Sequence, residues 1–486
     1  MISPEQALAL WHSDPPTAAA QLVRLSQELD QLAGLVVTLR ARIKELEDRL
    51  AKTSRNSSKP PSTDGLQKPQ PKSLRPHGQR PSGGQPGHPG QTLRMVDQPD
   101  HIVLHPVTQC ARCQRSLAQC PPERMEKRQL FDIPEPQWEI TEHRAEIKTC
   151  SCGHVNRAAF PEGVNAPTQY GPRVKAATVY LHTYQLLPCE RTAEALHDLL
   201  GVPCSEGTVI NVVNAAAEAA REPVEEIRQQ LQRADVVGFD ESGCRIEARL
   251  QWLHVASTDR LTYYHVHPKR GTPAMDAVDI LPHFEGRAIH DFWSAYLRYD
   301  CKHGLCNAHH LRELIFVHEQ HHQSWAKEMM DCLLDAKALV DQAKSNNQTA
   351  LSAEPLEEIE KRYKNAIHKG AEQNPLPPPP ANKKRGRVKK SKPRNLLERL
   401  RDHRSQVLAC AHDFRVPFDN NLSERDIRMI KVKLKISGMF KTLPGAEAFC
   451  RLRSYISTAR KNQIAILEAL AELLKGAPFR PAAAPG

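Results

Sequence analysis

Residues 234–291 alternate short β-rich runs with polar turns, and this pattern constrains the fold more than any other feature of the chain. The predicted order is strand, strand, strand, helix, strand, at residues 236–240, 252–256, 262–266, 272–281 and 287–291. Asp240 ends the first predicted strand and Asp291 ends the fourth. In a mixed sheet that makes these two strands neighbours, both carboxylates lie at one edge. Hard divalent cations prefer such oxygen ligands, so the pattern predicts a metal site there.

A third acid that completes such a site is expected in residues 420–431. Ser423 is placed to cap a helix, and Glu424, Arg428 and Lys431 then follow at positions i, i+4 and i+7 on one face. A carboxylate flanked by cations suits a residue that holds metal while its neighbours hold phosphate. The pattern leaves open that the three acids only cap strand ends and form a surface ion pair. The nearest competing acids are Glu241, Asp300 and Asp426.

Two close cysteine pairs, separated by 36 residues, predict a structural Zn²⁺ site within residues 100–165. Each pair would supply two thiolates from a tight turn to a tetrahedral ion. The second pair is one residue shorter than the usual spacing, and Cys120 or His154 lies near enough to replace a ligand. Four unrelated cysteines are the alternative. The expected ligands are Cys110, Cys113, Cys150 and Cys152.

Apolar residues from Leu22 to Leu50 are spaced alternately three and four residues apart, which is a strict heptad. It predicts a leucine-zipper coiled coil within residues 1–52 that joins chains into a homo-oligomer through residues 22–50. An amphipathic helix packed on a domain core is the alternative. Residues 53–99 hold nine prolines and six glycines, which predicts a basic linker.

Residues 166–232 are predicted to be helical and to resemble a helix-turn-helix, with Ser205 capping its second helix. Two packed helices without DNA contact are an equally open interpretation. Residues 374–395 combine a proline run with eight Lys or Arg and no acid, which favours a nucleic-acid tether over a solvated linker. Residues 318–322 match the H-E-x-x-H pattern of zinc proteases, for which a polar helix face is the alternative.

The composition excludes several classes of protein. The formal charge is +11, and residues 425–461 carry ten Lys or Arg against two acids, a distribution typical of polyanion binding. No run approaches the ~20 apolar residues that cross a bilayer. The first residues show no secretory signal, and thirteen scattered cysteines do not suggest a disulfide framework. We therefore expect a cytoplasmic protein with no membrane partner.

Four segments resemble motifs of the insertion-sequence-66 family of transposases. They are residues 239–245 (Phe-Asp-Glu-Ser-Gly-Cys-Arg), 290–296 (His-Asp-Phe-Trp-Ser-Ala-Tyr), 305–314 and 416–440. The order of zipper, linker, cysteine module and catalytic domain also resembles the family's, so the likeness covers nearly the whole chain.

The resemblance implies a multidomain α/β protein with a ribonuclease-H-like mixed-sheet catalytic core of the DDE type. A coiled coil, a zinc-ribbon-like module and a helical DNA-binding region would precede this core. Residues 233–300 would form its first part, residues 301–415 a helical insertion, residues 416–475 the catalytic helix with a basic block, and residues 476–486 a tail.

The resemblance also implies a set of site residues. Asp240, Asp291 and Glu424 would be the catalytic acids and would hold two Mg²⁺ (or Mn²⁺) ions per active site. Cys306 and His309 match the family's Cys-x-x-His element, which we expect to brace the core rather than to bind metal. The expected DNA contacts are Arg425, Arg428, Lys431, Lys433 and Lys435.

The expected function is that of a bacterial, nucleoid-associated DDE transposase. It would bind the terminal repeats of its insertion sequence and catalyse metal-dependent strand cleavage and strand transfer on double-stranded DNA. Small companion proteins of the same element are possible partners. A non-catalytic zinc-containing DNA-binding regulator is the alternative, and a zinc protease is a more distant one.

Overall fold

The computed structural model describes residues 4–57, 93–376 and 390–482, and its N-terminal part is helical. Helix α1 spans Pro4–Ser13 and α2 spans Pro15–Leu50. The Asp14 carboxylate caps α2, since it accepts hydrogen bonds from the backbone N–H and the hydroxyl of Thr17. Every apolar heptad residue is exposed, by 43–86%, so no described part of the chain covers this stripe. The exposed stripe favours the coiled coil over a helix packed on a domain core, and the coiled coil stays a prediction.

Residues 93–165 contain little regular structure. Strands β1 (Ile147–Thr149) and β2 (Val155–Arg157) form a short antiparallel hairpin. The predicted linker at residues 53–99 lies largely outside the described residues, as does most of the basic loop at residues 374–395.

Four α-helices and one π-helical turn follow, which confirms the helical character of residues 166–232. They are α3 (Pro172–Val179), the π-helix Tyr180–Tyr184, α4 (Cys189–Leu200), α5 (Glu206–Ala219) and α6 (Arg221–Gln232). Ser205 caps α5 as predicted, because its Oγ accepts the Thr208 N–H at 3.2 Å. Much of the apolar surface of α5 lies in the core, so reading of DNA by this pair stays a prediction.

A mixed five-stranded sheet forms the centre of the described chain. Its strands are β3 (Val236–Ile246), β4 (Arg249–Ser257), β5 (Thr262–His267), β6 (Arg287–His290) and β7 (Lys302–Leu305), and α7 (Thr272–Val278) lies between β5 and β6. The spatial order is β5-β4-β3-β6-β7. Strands β3, β4 and β5 are antiparallel, whereas β6 and β7 continue the sheet in parallel with β3. The predicted order and the contact between the first and fourth strands are confirmed.

Two details of the sheet differ from the prediction. Strand β3 does not end at Asp240 but continues to Ile246, because its pairing with β4 extends to the tight turn at Glu247 and Ala248. Strand β7 was not predicted, since four residues with two polar side chains carry almost no periodic signal.

The remaining elements are helical. They are α8 (Asn307–His321), α9 (Ser324–Ser345), α10 (Ala353–Gln373), α11 (Lys392–Asp402), α12 (Arg404–Val407), α13 (Ala409–His412), α14 (Asn421–Ile427), α15 (Met429–Ile436), α16 (Leu443–Lys461) and α17 (Ile466–Leu474). Apart from β7, residues 301–415 are therefore the predicted helical insertion. None of the helices in the described residues is long and apolar enough to span a bilayer.

Four clusters of buried hydrophobic residues hold the described elements, and the two largest concern the sheet and the insertion. One core joins α6, β3 and α16 through Ile227, Phe239 and Tyr455, so it continues across the predicted boundary between residues 232 and 233. The insertion has its own core around Trp325 and Tyr363, both fully buried. The insertion can therefore lie between β7 and α14 without interrupting the sheet.

The C-terminal end of α2 contacts this insertion. Lys44 Nζ donates to the carbonyl of Gln320 at 3.3 Å, and Asp48 lies 3.5 Å from His321 and 3.1 Å from Lys392. The C-terminal end of α2, which carries the exposed heptad residues, is therefore in contact with the end of α8.

Candidate active site

The parallel pairing of β3 with β6 places the first two predicted acids side by side. Gly238 is aligned with Ile289, the last aligned pair, and Asp240 follows two residues later in β3 while Asp291 comes directly after the end of β6. Aligned residues of neighbouring strands project from the same face of a sheet. Asp240 accepts the backbone N–H of Glu241 at 2.9 Å, and Asp291 accepts that of Trp293 at 3.1 Å.

Helix α14 packs over this face because Gly238 lacks a side chain. A Cβ at Gly238 would lie 2.5 Å from Oδ1 of Asn420 and closer still to Oγ of Ser423. The Asn420 side chain donates to the Phe239 carbonyl at 2.7 Å, and the hydroxyls of Ser423 and Ser257 are 3.0 Å apart. These contacts hold the first turn of α14 on the sheet.

The position of Ser423 corrects the predicted helix start. The N-cap position of α14 belongs to Asn420, so Ser423 lies inside the first turn and fastens the helix to β4 instead of capping it. Glu424 follows directly, on a helix that packs against β3 and β4.

The electrostatics of Asp240 show that the acids form one cluster. Burial first, and then the nearby charges of Glu241, Glu424 and Asp291, raise the pKa of Asp240 to about 8, although the hydrogen bond from the Glu241 N–H opposes the rise. Like charges in a low-dielectric site cannot all ionise unless a cation compensates them. This donor set therefore fits hard divalent cations.

Glu241, a competing acid, is already engaged by protein groups. Its side chain is 2% exposed, and Arg270 donates to its Oε1 through Nε at 2.9 Å and Nη2 at 2.7 Å. The Tyr296 hydroxyl donates to its Oε2 at 2.6 Å. Burial raises the pKa of Glu241, and these two partners oppose the rise.

Sequence reasoning missed Arg270, which lies between the rings of Trp252 and Trp293 at 4.9 and 4.3 Å from their centroids. The contacts of Arg270 with Glu241 and the two tryptophan rings depend on tertiary packing, so no local sequence pattern predicts them. The other competing acids lie elsewhere: Asp300 is exposed and Asp426 pairs with Lys461 at 2.6 Å.

Cys306 and His309 lie against Glu424. Their ligand atoms are all within 4.8 Å of one another, and in the described parts of the chain this is the one such group of three or more metal-binding side chains. His309 Nδ1 is 3.7 Å from Glu424 Oε1, and both atoms are buried without a hydrogen-bond partner. Burial raises the pKa of Cys306 to about 12. Asp240 and Asp291 do not belong to this tight group.

The predicted zinc ligands lie in two separate turns. The Gln114 N–H closes the turn of Cys110 and Cys113 on the Cys110 carbonyl at 2.9 Å. Cys150 and Cys152 lie in the turn of the β1–β2 hairpin. Within the described residues the four thiols are not gathered into one group.

Each turn nevertheless favours a thiolate. Backbone N–H groups of the second cysteine lower the pKa of the first cysteine of each pair, Cys110 and Cys150. The structural Zn²⁺ site stays a prediction.

The H-E-x-x-H segment does not form one helical face. Helix α8 ends at His321, and His322 has a left-handed backbone with φ of 51°. His318 and His322 are therefore not one helical turn apart, which removes the geometric basis of the protease hypothesis.

The predicted DNA contacts differ in exposure. Arg425, Arg428, Lys431 and Lys435 are exposed along α14 and α15. Lys433 is buried instead: its Nζ donates to the Gly438 carbonyl at 3.0 Å and lies 4.2 Å from the Phe440 ring centroid. Burial lowers the pKa of Lys433 to about 8. Its expected role is corrected to holding the turn after α15.

Comparison with known protein families gives two matches. A family model described as Transposase IS66 family matches residues 167–448, which span the sheet, the insertion and α14. A second model, a family of unknown function (DUF6444), matches residues 12–94. No curated protein sequence matches the chain. Because the first match covers more than half of the chain, the protein belongs to the IS66 transposase family.

The raised pKa of Asp240 predicts a pH-dependent stability in metal-free protein. The folded chain keeps this proton up to about pH 8, whereas the unfolded chain releases it near about pH 4. Stability should therefore fall as pH rises between these values. Asp240→Asn cannot titrate, so we expect it to be more stable than the wild type at pH 8, by on the order of 2 kcal/mol.

Urea unfolding in EDTA between pH 4 and pH 8 measures this difference, which should vanish at the acidic end. Asp300→Asn, at an exposed position, is the matched control and should follow the wild type. Parallel pH profiles for Asp240→Asn and the wild type would contradict the assignment of a buried acid cluster.

Proposed function

We propose that this chain is a DDE-type transposase that cleaves the ends of its insertion sequence and joins them to target DNA. The observation that carries the proposal is the acid cluster: Asp240 lies on β3, Asp291 directly follows the neighbouring parallel strand β6, and the charges of Asp291 and of Glu424 on α14 raise the pKa of Asp240. The strand order, three antiparallel strands followed by two parallel ones, supports the ribonuclease-H-like core that the sequence resemblance implies.

The three acids would hold the divalent cations. When bound, Mg²⁺ or Mn²⁺ ions, two per active site, would stabilise the attacking and leaving oxygens of a phosphodiester displacement. The protein's part is to fix the carboxylates, through the β3–β6 pairing and through the packing of α14 on Gly238.

The reaction then needs no protein nucleophile. Water attacks the phosphorus at the element's end, and the 3′ oxygen leaves as a hydroxyl group. That hydroxyl then attacks a phosphorus of target DNA, forms the new phosphodiester bond and displaces the target's own 3′ oxygen. The chain's residues contribute by positioning the DNA and the acids.

Neutralising the acids tests this function directly. Asp240→Asn, Asp291→Asn and Glu424→Gln should each reduce strand cleavage and strand transfer to background, because each removes a carboxylate charge from the site. The assay uses Mg²⁺, the flanking terminal repeats and a target plasmid. Asp300→Asn should retain activity. Full joining by the three acid variants would contradict the assignment of these acids, whereas binding of the terminal repeats by the wild type without any cleavage or joining would support the non-catalytic regulator.

The exposed cations of α14 and α15 are proposed to hold the DNA backbone beside the acids. Arg428→Ala should weaken binding to any duplex and lower the slope of log affinity against log salt by about 1, since one phosphate contact is lost. Fluorescence anisotropy across a salt series measures the slope. Lys327→Ala, an exposed cation on α9, is the control and should leave it unchanged.

The exposed heptad of α2 is proposed to pair two or more copies of the chain, so that both element ends are processed together. Leu25→Glu combined with Leu32→Glu should convert the oligomer into monomer, because it places charge in the seam. Light scattering measures the mass. Val23→Glu combined with Val37→Glu, at exposed positions outside the heptad, should leave the oligomer intact.

A further inference from the structure

Two buried polar atoms near the acid cluster face each other without a partner. Oε1 of Glu424 and Nδ1 of His309 are 3.7 Å apart, and their side chains are 17% and 15% exposed. A buried polar atom that lacks a hydrogen bond costs about 1–3 kcal/mol. A group that contacts both atoms would remove this cost.

The separation of these atoms suits a shared metal ion. In a tetrahedral site with ligand bonds of about 2.0–2.1 Å, a nitrogen and an oxygen ligand lie about 3.4 Å apart. The third donor, Sγ of Cys306, is within 4.8 Å of both atoms. A set of one sulfur, one nitrogen and one oxygen favours borderline cations such as Zn²⁺ and Co²⁺ over Mg²⁺, which prefers oxygen alone.

The backbone holds the sulfur ligand in place. Cys306 occupies the N-cap position of α8, a helix of 15 residues. The Asn420 N–H donates to its Sγ at 3.2 Å. Backbone N–H groups and a helix N-terminus favour a thiolate, but burial outweighs them and keeps the thiol protonated until a cation binds.

We propose that Cys306, His309 and Glu424 form a site for one borderline divalent cation, Zn²⁺ or Co²⁺. On binding, the Cys306 thiol gives its proton to solvent and the sulfur becomes a ligand, which leaves one coordination position for water. The cation uses Oε1 of Glu424 and so fixes the orientation of that carboxylate. The site requires neither Asp240 nor Asp291, and its occupancy is independent of the proposed catalytic function.

Cobalt binding to the full chain tests the proposal without any activity assay. Co²⁺ should give a thiolate-to-cobalt charge-transfer absorption, and Cys306→Ser should lower the number of bound equivalents by one. The same measurement in a chain with Cys110, Cys113, Cys150 and Cys152 changed to Ser isolates this site from the predicted zinc module. There, Cys306→Ser should abolish the absorption.

His309→Ala is the second variant, because it leaves the buried thiol intact. It should weaken Co²⁺ binding by at least about 10-fold. Cys332→Ser and His318→Ala are the matched controls, a buried cysteine and a histidine of α8 that lie outside the cluster, and should bind as the wild type does. Circular dichroism establishes that each variant is folded.

Asp240→Asn separates the two hypotheses. It should abolish strand transfer while the cobalt absorption persists. The proposal is overturned if the four-serine background shows no absorption, or if Cys306→Ser binds as many equivalents as the wild type and His309→Ala binds Co²⁺ with the wild-type affinity. Cys306 and His309 would then only brace the core.

Discussion

The parallel pairing of β3 with β6 is the constraint on which the site depends. It brings the segment of Asp240 beside the strand that Asp291 follows, although 50 residues separate the two aspartates in the chain. A shift of this register by one residue would turn one carboxylate to the opposite face. The antiparallel strands β4 and β5 stabilise the same sheet from the other side, so the register is fixed by both neighbours of β3.

The third acid, Glu424, reaches the site because α14 packs closely on the backbone of β3. Gly238 admits α14 to the sheet, and the hydrogen bonds of Asn420 and Ser423 fasten it there. The insertion before α14 is tolerated because it forms its own core. Its first helix, α8, starts after its N-cap residue Cys306, which lies beside Glu424, and its last residue, His321, lies beside Asp48 of α2. Helix α8 therefore connects the acid cluster to the proposed oligomerisation region.

Sequence patterns predicted the strand order and the aspartates because alternation and strand ends are local properties. These patterns failed where contacts between distant parts of the chain determine the role of a side chain. Ser423 is of a residue type that often caps helices, but its hydroxyl lies within hydrogen-bond distance of Ser257 on β4. Lys433 lies in a basic segment of the sequence, but its side chain packs on the ring of Phe440. The Arg270–Glu241 ion pair joins residues 29 positions apart and had no local signal.

Mn²⁺ binding to the full chain tests most directly whether Asp240, Asp291 and Glu424 form one divalent-cation site. Electron paramagnetic resonance counts free Mn²⁺ during a titration in the absence of DNA. If the acids hold the cation together, Asp240→Asn and Asp291→Asn should each weaken Mn²⁺ binding by at least about 10-fold relative to the wild type, whereas Asp300→Asn should not. Equal Mn²⁺ affinity in all four proteins would contradict it.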